Sequence, residues 1–311
     1  MEFVQFHPTA LKGSSILISE SARGAGGYLL NSKGERFVNE LAPRDEVSKA
    51  IDDEMDKGED IYLDIRHLGA EFIEKELPQE SKLAKLYENV DPVNDLLPIK
   101  PAAHYTMGGI EVDANSSTSI EGLFAAGECA NHQVHGANRL GGNSLLELVV
   151  FGKQAGENAA KYAKNFNKKI DIAEQKTFFE KQIAEMKKLP NEISFYEKYT
   201  ELGELFYKNA GIKREKSALQ NALEKVKEMK KSMSKMGVND KTKVYNTNLL
   251  DFLEFKNMLE LSEIILISAL YRAESRGAHF RVDAPNTDEK FTAHTIIDLS
   301  LIHISEPTRP Y

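Results

Sequence analysis

The sequence predicts an α/β region that is divided by an α+β region and followed by an all-α helical domain. Residues 2–6 alternate apolar and polar side chains, which is typical of a strand, and glycine-containing turns separate short apolar segments up to about residue 163. Beyond residue 170 glycine becomes scarce and Lys and Glu become dense, while Leu219, Leu223, Val226 and Met229 recur on one helical face. The second half of the chain is therefore predicted to be helical.

Turns and periodicity also predict the shorter elements of the first half. Residues 16–20 are predicted to form a short strand, and residues 28–30 follow a glycine-rich loop. Apolar side chains at helical spacing predict a helix over 45–58. The apolar run at 122–128 predicts a buried strand that ends in a glycine turn, and a helix is predicted over 145–165.

Composition and charge exclude several classes of protein. The 311 residues are 41% hydrophobic and 28% charged, which suits a globular chain with a sizeable core. The net charge of −8 is opposite to the basic surface that nucleic-acid binding requires. No apolar run reaches the roughly 18 residues that cross a bilayer, so membrane contact is expected only through a partner. Cys129 is the only cysteine, so neither an internal disulfide nor a cysteine-built metal site is predicted.

The motif HGANRLGGNS, at residues 135–144, holds the first candidate site residue. It puts Arg139 directly before a turn that is predicted to start a helix. A guanidinium is always charged and is forked, so it suits bidentate binding of a carboxylate. The alternative is a surface ion pair between Arg139 and Glu147.

Two other motifs complete a recognisable set. HYTMGG begins at His104, which taken alone is more often a satisfied core histidine, and MEFVQFHPT includes His7. Together the three motifs resemble the flavoprotein subunit of fumarate reductase and succinate dehydrogenase. The resemblance implies that Arg139 and His104 bind one carboxylate of a dicarboxylate substrate, and that His7 and Ser19 bind the other. Most of the family has Thr where Ser19 stands, so the hydroxyl is retained.

The resemblance also implies catalytic roles for a second group of residues. Arg44 lies at a predicted helix start, where a cation opposes the helix dipole; alternatively, the adjacent Asp45 and Glu46 could simply offset that cost. In the family this arginine protonates the substrate carbon. A guanidinium with its ordinary pKa above roughly 12 needs a proton resupply, and Glu20 and Arg23 match the relay positions. Ala25 stands where the family usually has a further Glu, so that acid is absent.

FAD is the cofactor that the resemblance implies. Glu128 matches the acid that binds the ribose of FAD in the family, although alone it would be a simple turn acid. Gly141, Asn143, Ser144 and Leu145 match residues beside the flavin, at the start of a helix that Asn143 or Ser144 could cap. A helix N-terminus carries a partial positive charge, so it would favour the anionic reduced flavin.

The domain interpretation follows from the same resemblance. Residues 1–8 and 104–163 are interpreted as pieces of an FAD-binding domain, 9–103 as a capping domain, 164–277 as the helical domain and 278–298 as the start of a C-terminal region. The implied activity is the interconversion of fumarate and succinate, with hydride carried by FAD N5 and the proton by Arg44. Both directions of this reaction use the same residues.

The resemblance implies partners as well. An iron–sulfur subunit and a membrane anchor are expected, and they would hold the protein on the cytoplasmic side, peripheral to the inner membrane. Neither a nucleic-acid partner nor a direct membrane span is expected.

Both ends of the chain differ from the family pattern. No G-x-G-x-x-G turn follows the first strand, so the nucleotide-binding first half of the FAD-binding domain is expected to be missing and the chain inactive by itself. Residues 299–311 match no part of the family and resemble a translated adapter sequence from DNA library preparation. They are interpreted as a non-native tail.

Two alternatives stay open from the sequence. L-aspartate oxidase shares the HPTAL and HGANR patterns, but Met107 and residues 274–283 favour the reductase and dehydrogenase family. The other alternative is a non-catalytic helical interaction module, and flavin binding would discriminate it from an enzyme.

Overall fold

The computed structural model describes residues 1–168, 170–298 and 303–305. The chain divides into two compact units, of which the first contains residues 3–156 and 277–279, and the second contains 1–2, 157–276 and 280–311. The interpreted tail at 299–311 lies outside the described residues, except for a strand at 303–305.

The first unit contains six strands and the first five helices, of which the fifth continues past residue 156 into the second unit. In chain order they are β1 (Val4–Leu11), α1 (Glu20–Gly24), β2 (Tyr28–Leu30), α2 (Arg44–Met55), β3 (Ile61–Asp64), α3 (Ala70–Glu76), α4 (Pro78–Tyr87), β4 (Leu97–Thr106), β5 (Ile110–Glu111), β6 (Ala130–Asn131) and α5 (Asn143–Asn165). Strands β1, β4, β3 and β2 form one antiparallel sheet in that order. The strand predicted at 2–6 is confirmed from Val4 onward, and it extends to Leu11.

Helix α2 packs on this sheet because its apolar residues recur at helical spacing. Val47 and Ile51 are fully buried, and Ser48 Oγ donates to the carbonyl of Phe6 on β1 at 3.1 Å. The helix predicted over 45–58 is therefore confirmed. Helix α5 begins two residues before its predicted start, so Asn143 and Ser144 lie inside its first turn.

Two strand predictions in the first unit are wrong. In residues 16–20 only Leu17 forms a bridge, to Ala10, and Ser19 caps α1 instead. In residues 122–128 only Phe124 forms a bridge, to Ser117. Both segments are partly buried apolar runs, and burial alone gives such a run its composition without pairing in a sheet.

The second unit is mainly helical, as predicted. It contains α6 (Ala173–Met186), α7 (Phe195–Asn209), β7 (Lys213–Arg214), α8 (Lys216–Ser232), α9 (Thr247–Tyr271), β8 (Phe280–Arg281), β9 (Ile296–Asp298) and β10 (His303–Ser305). The predicted apolar face of α8 is confirmed, since Leu219, Val226 and Met229 are buried in its core and Leu223 packs against them. Among the described residues, none of the helices is both long and apolar enough to span a bilayer.

Candidate functional site

Strands β1 and β4 bring two histidines of the first unit together. His7 pairs with Ala102 in the antiparallel register, which puts His104 two residues further along β4. The two imidazole ring centroids lie 5.3 Å apart. His7 is 3% exposed, and its Nε2 lies 2.7 Å from the carbonyl oxygen of Ile18. The fold therefore brings these two candidate substrate-binding residues close together.

The second group of predicted residues lies on α1 and at the start of α2. Arg44 donates to the same Glu20 oxygen through Nε at 3.0 Å and Nη2 at 2.5 Å. Arg23 Nη2 lies 3.8 Å from the other oxygen of Glu20. Glu20 therefore lies between the two arginines, and Asp45 and Glu46 also lie in the first turn of α2, where the alternative interpretation of Arg44 puts them.

Arg139 is buried, with 3% of its surface exposed. Its guanidinium carbon lies 4.6 Å from the centroid of the Tyr105 ring, and Nη1 donates to the carbonyl of Leu140 at 3.1 Å. The alternative of a surface ion pair with Glu147 is wrong, because that carboxylate instead accepts a hydrogen bond from Tyr105. Nε of Arg139 has no hydrogen-bond partner among the described residues.

Burial and neighbouring cations determine the charge states of the site. Burial lowers the pKa of His7 to about 4, and the charge of Arg44 adds to this effect. Burial, together with Arg44 and Arg139, lowers the pKa of His104 to about 4. Both imidazoles are therefore neutral at pH near 7. Burial also lowers the pKa of Arg139.

The carboxylate of Glu20 remains ionised in this setting. Partial burial acts to raise its pKa, but the hydrogen bonds and charge of Arg44, together with the charge of Arg23, lower it overall. Burial lowers the pKa of Arg23. Nε and Nη2 of Arg23 have no hydrogen-bond partner among the described residues, while Nη1 donates to the carbonyl of Glu40. Arg23, Glu20 and Arg44 therefore form a continuous row of charged side chains.

The remaining predicted site residues lie at the edge of this cluster or at the start of α5. Ser19 is exposed, and its hydroxyl accepts from the amide of Ser21 at 3.2 Å as the cap of α1. Glu128 is exposed and accepts from the amide of Thr106 at 2.9 Å. A Cβ added at Gly141 would lie 3.0 Å from Glu20 Oε2 and 3.7 Å from Arg44 Nη2. Gly141 is therefore next to the acidic and basic side chains.

Sequence reasoning missed a polar link between the two halves of the site. Gln5 is fully buried, donates to Asn138 Oδ1 at 2.7 Å and to the carbonyl of Arg139 at 2.6 Å, and accepts from Arg44 Nη1 at 3.3 Å. Asn138 in turn donates to Asp45 Oδ1 at 2.7 Å. The sequence could have indicated Gln5, because alternate residues of a strand share one face and Gln5 therefore lies on the same face as His7.

The start of α5 suits a flat, largely apolar cofactor. Leu140, Leu145, Leu148 and Val149 are between 49% and 73% exposed, so an apolar surface surrounds the N-terminus of this helix. Gly142 has a φ of +81°, and a Cβ added there would meet no atom within 4 Å, so the turn leaves open space. An isoalloxazine ring needs such an apolar surface, and the helix dipole stabilises negative charge on it. The residues present therefore fit a flavin.

Comparison with known proteins agrees with this geometry. A sequence model described as FAD binding domain matches residues 1–145, and a model described as fumarate reductase flavoprotein C-term matches residues 199–305. The chain is 41% identical over 327 residues to the fumarate reductase flavoprotein subunit of Haemophilus influenzae, covering 95% of the chain and 54% of that protein.

Other relatives give the same result. The chain is 36% identical to the succinate dehydrogenase flavoprotein subunit of Rickettsia bellii, with 95% of the chain and 54% of that protein covered. A solved structure of an FrdA variant of Escherichia coli quinol fumarate reductase matches with a TM-score of 0.90 at 39% identity, covering 95% of the chain and 56% of that structure.

These matches define the class of protein as FAD-binding flavoproteins, and they confirm an FAD-binding part followed by a C-terminal part. Within this class, the chain belongs to the family of fumarate reductase and succinate dehydrogenase flavoprotein subunits. It spans about half the length of these relatives.

Proposed function

We propose that the protein interconverts fumarate and succinate with FAD as its redox cofactor. The observation that carries the proposal is a cluster of three arginines, two buried and one partly buried, in which Glu20 is the only carboxylate within 4.0 Å of an arginine among the described residues: Arg44 and Arg23 lie on either side of Glu20, and Arg139 has no such partner. An uncompensated buried cation is costly unless an anion binds it. A small dianion is the ligand that this excess of positive charge favours.

The two ends of a dicarboxylate have different partners in the proposed complex. The fork of Arg139 binds one carboxylate with His104, and His7 and Ser19 contact the other. Donation of Nε2–H to the Ile18 carbonyl leaves Nδ1 of neutral His7 as an acceptor. His7 therefore donates to a carboxylate only when it gains a second proton, which the negative charge of a bound substrate favours.

The proton on the substrate carbon is exchanged with Arg44 in this proposal. Glu20 accepts two hydrogen bonds from Arg44 and is near Arg23, so it can return a proton after each turnover. Gln5 and Glu20 together keep the guanidinium of Arg44 oriented during this exchange. Bound FAD supplies or accepts the hydride. Glu128, Asn143, Ser144, Leu145 and Gly141 are the residues of this chain proposed to hold it.

The broader assignments rest on the relatives. Residues 1–8 and 104–163 are proposed to be pieces of the FAD-binding domain, 9–103 the capping domain and 164–277 the helical domain. Another matching structure, at 39% identity, is a quinol-fumarate reductase with menaquinol molecules. We therefore propose an iron–sulfur partner and a membrane anchor, which would hold the protein at the cytoplasmic surface of the inner membrane.

Titration of the flavin tests the proposal. The longest form of the protein that its gene encodes is purified with FAD, and fumarate, succinate or L-aspartate is added while flavin absorption and turnover with a reduced dye are recorded. Both dicarboxylates should perturb the flavin spectrum, and fumarate should reoxidise the reduced flavin. Flavin-free protein would favour the helical interaction module, and oxidation of L-aspartate would favour the oxidase instead.

A further inference from the structure

A second layer of buried polar side chains lies behind Arg139. Tyr105 donates from its hydroxyl to Glu147 Oε2 at 2.6 Å, and His135 Nε2 lies 2.8 Å from the same oxygen. The Glu147 side chain is 3% exposed. None of these three residues is part of the substrate grip or the proton relay described above.

The geometry of this layer separates the negative charge from the cation. The Tyr105 ring lies between Glu147, which its hydroxyl contacts, and Arg139, whose guanidinium carbon is 4.6 Å from the ring centroid. An O–H···O⁻ bond of 2.6 Å is in the range of strong, charge-assisted hydrogen bonds. Such a bond makes the ring more electron-rich, and the face of an electron-rich ring attracts a cation more strongly.

A direct ion pair would have had a different consequence. If Glu147 touched Arg139, it would occupy the N–H donors that a substrate carboxylate needs. Acting through the ring, Glu147 stabilises the position of the guanidinium and leaves its fork available. Burial and Glu147 together raise the pKa of Tyr105, so the phenol keeps its proton and remains the donor of this hydrogen bond.

The carboxylate is itself fixed from several sides. The His135 ring packs edge-on against the Tyr105 ring, with centroids 5.5 Å apart and planes at 88°. On the other side, His132 Nδ1 lies 4.0 Å from Glu147 Oε1, and the His132 ring stacks on Phe151 at 3.8 Å. Packing of this kind prevents Glu147 from turning toward Arg139.

We propose that Tyr105, Glu147 and His135 form a positioning set that holds Arg139 for a carboxylate without neutralising it. The inference rests on the proposed function, because it assigns the set to the grip on a dicarboxylate. Its prediction is a selective loss of dicarboxylate affinity when the hydrogen bond between Tyr105 and Glu147 is removed.

A double-mutant cycle in the FAD-loaded, longest form of the protein tests this. Tyr105→Phe keeps the ring and removes the hydroxyl, and Glu147→Gln keeps the shape and removes the charge. Each should raise KM for fumarate and Kd for succinate by about threefold to tenfold, the range of a weakened cation–π contact, with a smaller change in kcat. Because both act through one bond, the double variant should resemble the more affected single variant.

The control is another tyrosine beneath an arginine. Tyr28 lies 4.3 Å from the Arg36 guanidinium carbon, on β2 and outside the site, so Tyr28→Phe should leave KM unchanged. Changes below twofold in KM and Kd in both single variants would overturn the inference. So would single variants that have a lower melting temperature and fewer active sites but an unchanged KM. The inference would also be overturned if the increase of KM in the double variant equalled the product of the increases in the two single variants. A wild-type protein that binds no dicarboxylate would remove the proposed function, and this inference with it.

Discussion

Substitution of Arg44 by Lys separates proton delivery from substrate binding. The guanidinium makes two hydrogen bonds to Glu20 and one, at 3.3 Å, to Gln5, so three N–H groups fix its plane. A lysine ammonium keeps the charge but is a single donor atom on a flexible stem. It cannot hold both partners and also lie against the substrate carbon.

The expected effect is a large loss of turnover with a small loss of affinity. A positioned acid contributes roughly 10²–10⁴-fold to the rate, which corresponds to about 3–5 kcal/mol of the activation barrier. In the proposed complex one carboxylate is held by Arg139 and His104 and the other by His7 and Ser19, none of which is changed, so KM should change by less than about tenfold. The fall in kcat should therefore exceed the change in KM by at least one order of magnitude.

Steady-state fumarate reduction and succinate titration of the bound flavin measure the two quantities separately. Arg66→Lys is a matched control, since Arg66 binds both oxygens of Asp64 at 2.9 Å at the end of β3, outside the site. It should leave kcat unchanged. Turnover of Arg44→Lys within about tenfold of the wild type would show that another group delivers the proton.

The remaining predictions concern substrate binding by Arg139, proton transfer by Glu20, the buried imidazole of His7 and the retention of FAD. Arg139→Lys should weaken succinate binding by roughly 10–100-fold as well as slow turnover, because the fork is lost, and unchanged Kd would contradict this. Glu20→Gln should lower kcat far more than it changes Kd for succinate, since it removes the proton carrier, and pre-steady-state kinetics can check this. The folded-state pKa of His7, about 4, lies below its ordinary value, so its stabilising contribution is present above pH near 6.5 and is lost as pH falls. In the wild type, His7 should therefore lower the free energy of unfolding by about 2 kcal/mol between about pH 7.5 and about pH 5, and the His7→Gln variant should lack this decrease when both are unfolded with urea. Residues 1–311 purified alone should retain less than stoichiometric FAD, and full flavin absorbance would refute this.

Helical periodicity and motif content predicted the main features of the fold. The face of α8 and the start of α2 follow from spacing alone, because only one face of each helix can be buried. Residues 16–20 and 122–128 were misassigned because an apolar run reports burial and not sheet pairing. Ile18 is fully buried and its amide donates to the carbonyl of Thr9. Beside this hydrogen bond, however, there is a single isolated bridge and no continuous ladder of strand pairing.

The members of the candidate site were proposed from the family resemblance, and their contacts could not be predicted. Taken alone, His104 would have been interpreted as a core histidine and Arg139 as a surface residue, so only the motifs that carry the resemblance assigned them. The contacts of Gln5 and Tyr105 depend on which strands pair and on which side chain lies between Arg139 and Glu147. Those distances arise from tertiary packing, which no local pattern encodes.

The excess of arginine over carboxylate in this site also bears on selectivity. Arg23, Arg44 and Arg139 outnumber Glu20, the one carboxylate within 4.0 Å of them among the described residues, so the attraction of an anion is long-ranged and depends little on its shape. Under the proposed function, any short dicarboxylate would be attracted, including the reaction product, and competitive inhibition by such dianions is expected. Discrimination has to come from the fixed angles of the arginine forks and imidazoles. Substitutions that change the specificity of such a site are consequently expected to change its geometry and to keep its net charge.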